Sequence, residues 1–146
     1  MNNKILAADD TKSWQTFHKV LIEQLWGNLF EVDTASSAKE ALHLINLNKR
    51  NPYTLIITDL QMENNYLPLS AGEYLIENIK LIKEYYASNI IIVSSMYNIE
   101  ETAKKYNVNC ISKSRLAANR LLMKYMFEKL MPSLDAVYRI KKGGSL

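Results

Sequence analysis

The chain has 146 residues, 48% of them hydrophobic and 23% charged, with a formal net charge of +3. That length suits one domain with a sizeable core, and so mild a charge does not by itself point to nucleic acid. The lone cysteine, Cys110, excludes an internal disulfide and suits a reducing compartment.

No apolar run approaches the roughly 18 residues that span a bilayer, so membrane insertion is not expected. The apolar run at 5–8 is far shorter than the roughly 7–15-residue core of a secretory signal, and two acids follow it at once. A cytoplasmic location is expected, for a free-standing protein or a module of a longer one. Met1 just before the first strand favours a native start.

The elements alternate along the chain. Residues 4–8 read as a first strand. Trp14, Phe17, Leu21 and Leu25 recur at helical spacing, and Gly27-Asn28 breaks that helix. Residues 30–34 alternate as a second strand should. Ser37 with Glu40 has the spacing of a capping box, and Ala38, Ala41, Leu42 and Ile45 give the next helix an apolar face. Asn51-Pro52 ends that unit.

Residues 54–58 form the third expected strand, apolar enough to be buried on both faces. A polar loop, 61–70, follows. Leu75, Ile79 and Ile82 mark a third helix. Residues 89–93 are a fourth strand and Ile99–Tyr106 a short helix. Residues 108–112 are a fifth strand, and 115–131 a long last helix stopping before Pro132. Residues 1–131 are expected to be one domain. Residues 132–146, with Gly143 and Gly144, are expected to be a polar tail or linker.

Strands alternating with helices predict an α/β fold: a single doubly wound, five-stranded parallel sheet covered on both faces. The expected type is the flavodoxin-like (β/α)5 fold, with strand order 2-1-3-4-5. Sites in such sheets form outside the carboxyl ends of the strands, at the switch point between strands 1 and 3. Asp9 and Asp10 end strand 1, and Asp59 ends strand 3. A lone buried carboxylate is costly; three at exposed tips of buried strands should instead share one crevice. Ser94 ends strand 4 with Ser95 next to it, and strand alternation favours Ser94 of the two. Lys113 ends strand 5.

Carboxylates packed together repel unless a cation intervenes. Mg²⁺ suits them, taking one or two carboxylates and keeping other positions for water or phosphate oxygens. A hydroxyl, an ammonium and Mg²⁺ together can neutralise a transferring phosphoryl group, and one aspartate can act as nucleophile to give an aspartyl-phosphate.

The ordered set AADD, TLIITDLQM, IIIVSS and ISKS resembles the receiver domain of two-component response regulators. FEVDTASSAKEAL is similar to that family's second strand and helix. The resemblance covers residues 4–130. It implies that Asp59 accepts phosphate from a sensor histidine kinase or a histidine phosphotransfer protein. It implies Mg²⁺ bound by Asp10, Asp59 and the main-chain carbonyl of Gln61, with Asp9 helping largely through water. Ser94 would hydrogen-bond a phosphoryl oxygen and Lys113 would pair with the phosphate. The chemistry would be self-catalysed phosphotransfer and autodephosphorylation, read by a downstream output protein.

The chain departs from the family in places. Glu63 stands where proline usually follows the methionine, and the loop to Gly72 is longer than usual. The segment from Ser94 to Lys113 is shorter. Cys110 replaces a common aromatic switch residue, and Ser114 replaces a proline that often follows a cis bond. Without proline a cis bond costs about 2.5–4 kcal/mol, so Lys113-Ser114 is expected to be trans. The 63–72 loop is expected to be exposed and to bulge beside the acids, with Tyr66 or Leu67 over the site or against a partner.

Other residues read as structural. His18 and His43 are expected at the surface or rim, Cys110 in the core, and Tyr85 and Tyr86 as packing residues. Lys49-Arg50 and Arg139, Lys141 and Lys142 read as solvated charge. No helix-turn-helix fits after Lys113, so direct DNA binding is not expected. Gly27, Gly72, Gly143 and Gly144 form no phosphate loop. Two alternatives share features of the site. A degenerate receiver would be a phosphorylation-independent binding module. A haloacid-dehalogenase-type phosphatase would need a DxD motif, which Asp9-Asp10-Thr11 lacks.

Overall fold

The computed structural model describes residues 3–133. Five strands, β1 (Asn3–Ala8), β2 (Phe30–Ala35), β3 (Leu55–Thr58), β4 (Asn89–Ser94) and β5 (Asn109–Ser112), form one parallel sheet in the order β2-β1-β3-β4-β5. The helices are α1 (Lys12–Trp26), α2 (Ala38–Leu47), α3 (Ala71–Ile79), α4 (Ile99–Tyr106), α5 (Lys113–Ala118) and α6 (Leu121–Leu130). The doubly wound sheet and its strand order are as expected.

Strand alternation divides the core in two. Leu6, Ala8, Ile56, Ile90 and Ile92 face one layer, where they meet Ile45 of α2, Leu75 and Ile76 of α3 and Ala103 of α4. Ile5, Ala7, Leu55, Ile57, Ile91 and Val93 face the other, against Leu21, Ile22 and Trp26 of α1 and Met123 and Phe127 of α6. Trp26 and Phe127 meet edge to face with centroids 4.0 Å apart. Strands so enclosed can carry polar side chains only at their tips.

Register sets the site. Ala8 pairs with Thr58 of β3, so the next residues, Asp9 and Asp59, leave the sheet side by side. On the other side Ser94 pairs with Ser112, one residue before Lys113.

Three local expectations are corrected. The last helix, placed at 115–131, is two helices. At Asn119 the backbone is extended (φ −144°, ψ 94°), and its side chain accepts the Leu121 N–H at 3.2 Å. Asparagine competes for backbone groups in this way, which ends α5 and starts α6. The third helix stops at Ile79, and the chain tightens so that Ile82 N–H reaches Ile79 O, before a 3₁₀ turn at Lys83–Tyr85. At α2 only half of the expected capping box forms. Ser37 Oγ accepts the Glu40 N–H, but the Glu40 carboxylate bonds the Ser36 N–H. The full reciprocal box is at Ser70 and Glu73 of α3.

The expected tail with Gly143 and Gly144, and Arg139, Lys141 and Lys142, lie outside the described residues. Among the described residues the one cis peptide is Leu67-Pro68, so Lys113-Ser114 is trans as expected. No helix among them is long and apolar enough to cross a membrane.

Candidate functional site

The three strand-end acids converge as expected. Oxygens of Asp9, Asp10 and Asp59 all lie within 4.8 Å of one another. They do not all sit at exposed tips as expected: Asp9 is wholly buried and Asp59 nearly so, beneath the flanking helices, and only Asp10 is exposed. Lys113, the first residue of α5, reaches both buried acids: Nζ lies 2.9 Å from Asp9 Oδ2 and 2.8 Å from Asp59 Oδ2. Its ammonium also sits 5.0 Å from the centre of the Trp14 ring. Ser94 is fully buried, and its Oγ accepts the Met96 N–H at 3.3 Å. Ser95 is exposed, as alternation predicts.

The other carboxylate oxygens of Asp9 and Asp59 are held by nearby donors. Asp9 Oδ1 accepts the Thr11 N–H and the Thr11 hydroxyl, each at 2.9 Å. Gln15 Nε2 donates to the Asp9 carbonyl at 2.8 Å. Asp59 Oδ1 accepts the Leu60 N–H at 2.7 Å and the Gln61 N–H at 3.4 Å. The result is a rigid, desolvated nucleophile-sized oxygen pair with one ammonium beside it.

Electrostatics fit a divalent cation. Burial raises the pKa of Asp10, and repulsion from Asp9 and Asp59 raises it further. Burial opposes the charge on Lys113, but hydrogen bonds and charge from Asp59 and Asp9 outweigh it and lift its pKa. Three hard oxygen donors with residual mutual repulsion match what Mg²⁺ binds. Because Asp10 has a folded pKa above its unfolded value, its ionisation costs stability as pH rises through that window. In metal-free buffer Asp10→Asn is therefore expected to stabilise the fold modestly, since solvent screens the exposed carboxylate. It should also gain less from added Mg²⁺. Urea unfolding in chelator and in Mg²⁺ reads both effects, and a less stable metal-free variant would contradict the repulsion.

His18 corrects an expectation. It is buried at 1% exposure, against the rings of Trp14 and Phe17 at centroid distances of 5.6 and 5.9 Å. Its Nδ1 has no hydrogen-bond partner. Burial, opposed by Asp9 and aided by Lys113, pushes its pKa down to about 4. The folded value lies below the unfolded one, so its contribution is complete above about pH 6.5 and lost as pH falls to about 4. At about 1.4 kcal/mol per unit this amounts to roughly 3 kcal/mol. His18→Leu should lack that limb, so wild type and variant should diverge in urea midpoint across this range. Parallel acid curves would refute the buried neutral imidazole.

His43 is exposed, as expected. Cys110 is half-buried and packs against the core, where burial raises its thiol pKa. Tyr85 is buried and bonds Ile45 O, but Tyr86 is exposed at 71%, against expectation. Lys49 and Arg50 are solvent-exposed.

The 61–70 loop is largely exposed, with Leu67 at 73%, and lines a groove with Gln61, Met96 and Asn98. It is not loose. Glu63 accepts the N–H groups of Ala38 and Lys39 at the start of α2, and these outweigh burial to hold its carboxyl below the usual glutamate range. Tyr66 stacks on Tyr74 at 3.8 Å and its hydroxyl bonds Glu63. A second feature that sequence reading missed is Gly72. Its N–H donates to Leu60 O at 3.0 Å, and a Cβ there would lie 2.2 Å from the Asp59 carbonyl oxygen.

Structural comparison places this architecture among the CheY-like response-regulator receiver folds. The phosphorylated cyanobacterial phytochrome response regulator RcpA matches with a TM-score of 0.69 at 20% identity, over 91% of this chain and 96% of its own. A CheY-like receiver domain protein of Methanospirillum hungatei JF-1 matches at 0.67 and 20%, over 93% and 98%. The chemotaxis response regulator CheY4 of Vibrio cholerae matches at 0.62 and 21%, over 77% and 88%. At such identities the likeness is one of fold. No protein-family model and no curated protein sequence matches the chain.

Proposed function

We propose that residues 1–131 are a phosphoacceptor receiver domain of a two-component response regulator, with 132–146 as a tail or linker. Asp59 takes a phosphoryl group from a sensor histidine kinase or a histidine phosphotransfer protein. The observation that carries this is the position of Asp59: at the switch point, nearly buried, 2.8 Å from Lys113, with two further carboxylates alongside. A structural salt bridge would need no third carboxylate, Asp10, clustered with the pair.

The residues divide the work. An Asp59 oxygen attacks phosphorus, and the bond from phosphorus to the donor histidine nitrogen breaks as the new P–O bond forms. Lys113 stays protonated and turns from the Asp59 oxygen to a phosphoryl oxygen, while Asp9 keeps it anchored. The Ser94 hydroxyl donates to another phosphoryl oxygen. Asp9, Asp10, Asp59 and the Gln61 carbonyl would hold Mg²⁺, which supplies positive charge to the phosphoryl oxygens. Water then hydrolyses the acyl phosphate, so the domain resets itself and turns over no separate substrate. Output passes by protein contact to a downstream partner in the cytoplasm.

Acetyl phosphate with Mg²⁺ tests this. Intact mass should rise by one phosphoryl group, and chelator should prevent it. A chain left unmodified by every competent donor despite Mg²⁺ binding would instead be a phosphorylation-independent binding module.

A further inference from the structure

We infer that Glu63 is a positioning residue for the metal site, anchoring the loop that carries the Gln61 carbonyl onto the start of α2; this rests on the receiver reading above. The first turn of any helix leaves N–H groups without intrahelical partners. In α2, Ser37 Oγ takes the Glu40 N–H at 3.0 Å. The two preceding N–H groups are met from far along the chain: Ala38 N–H donates to Glu63 Oε1 at 2.8 Å and Lys39 N–H to Oε2 at 3.1 Å. The Tyr66 hydroxyl donates to the same Oε2 at 3.1 Å, and its ring lies flat on Tyr74, 5° from parallel.

A carboxylate gripping two adjacent N–H groups fixes both place and angle, and the positive end of the helix favours its charge. The segment 59–63 is therefore held at both ends. At one end Asp59 Oδ1 takes the Leu60 and Gln61 N–H groups; at the other Glu63 is fastened to α2. Gln61 lies between, with an exposed side chain. A proline would stiffen such a turn through its own ring. Here a longer loop starts instead with a glutamate, and the stiffness comes from a neighbouring helix.

The test is Mg²⁺ affinity of the full chain, read by tryptophan fluorescence, since Trp14 lies against Lys113. Glu63→Ala should weaken Mg²⁺ binding about tenfold, as loss of an outer-sphere support typically does. Glu63→Gln keeps one acceptor oxygen and should recover part of the loss. Ser37→Ala removes a cap from the same helix without touching the loop. It should lower the melting temperature comparably and leave Mg²⁺ affinity unchanged. Unchanged affinity in Glu63→Ala overturns the inference, as does an equal loss in Ser37→Ala, which would make the effect one of helix stability. Wild-type protein that binds no Mg²⁺ overturns the metal site itself, and so is told apart from a failure of Glu63 alone.

Discussion

Asp59→Asn should take up no phosphoryl group under conditions where the wild-type chain gains one. The amide lacks the anionic oxygen that attacks phosphorus, so labelling should fall below detection rather than merely slow. Folding should survive. Lys113 keeps its ion pair with Asp9 at 2.9 Å, and the substitution removes one of three clustered negative charges, which relieves repulsion. The variant should therefore unfold at or above the wild-type urea midpoint in chelator. That combination matters, because a loss of labelling in an unfolded protein would say nothing of the nucleophile. Persistent labelling of a folded variant would move the acceptor to Asp9 or Asp10. Asp9 is wholly buried and already engaged by Thr11 and Lys113. Asp10 is exposed, and Lys113 eases its charge less than burial and the two neighbouring carboxylates oppose it.

Much of this arrangement could be read from residue order. Strands that are apolar on both faces leave only their tips for polar groups, so Asp9, Asp59 and Ser94 stood out where such runs ended. Lys113 followed from the same logic, although it opens α5 rather than closing β5. The break at Asn119 stayed hidden because the apolar positions Leu116, Met123 and Phe127 pack into one core layer across it. Periodicity reports a shared buried face and not an unbroken helix. His18 carried a usable signal: it lies four residues after Trp14 and four before Ile22, on the face that α1 buries. Its polarity argued wrongly for the rim. Glu63 and Gly72 carried no such signal. Their partners, Ala38 and Asp59, are 25 and 13 positions away in the chain, and only the packed fold brings them together.

Gly72→Ala should harm both stability and phosphorylation, and the second effect should be the larger. Gly72 sits in the first turn of α3, where its N–H meets Leu60 O. An added Cβ would lie 2.2 Å from the Asp59 carbonyl oxygen and 2.7 Å from Leu60 Cα. Both are backbone atoms, so no flexible side chain can swing aside. Overpacking of this kind costs about 1–3 kcal/mol. The relief must come from α3 moving out or from the 59–60 backbone moving back, and the latter drags the carboxylate that Lys113, Leu60 and Gln61 hold. A displacement near 1 Å at a reacting atom costs roughly a hundredfold in rate. Gly27→Ala is the matched control. Gly27 has a left-handed φ of 59° but open space around its Cα. Alanine there should cost stability through backbone strain while leaving the acid cluster untouched. Both variants should melt below wild type, and only Gly72→Ala should lose labelling by acetyl phosphate. Labelling of Gly72→Ala at the wild-type rate would mean that α3 yields instead, and that Asp59 is held in place by its own hydrogen bonds rather than by the helix behind it.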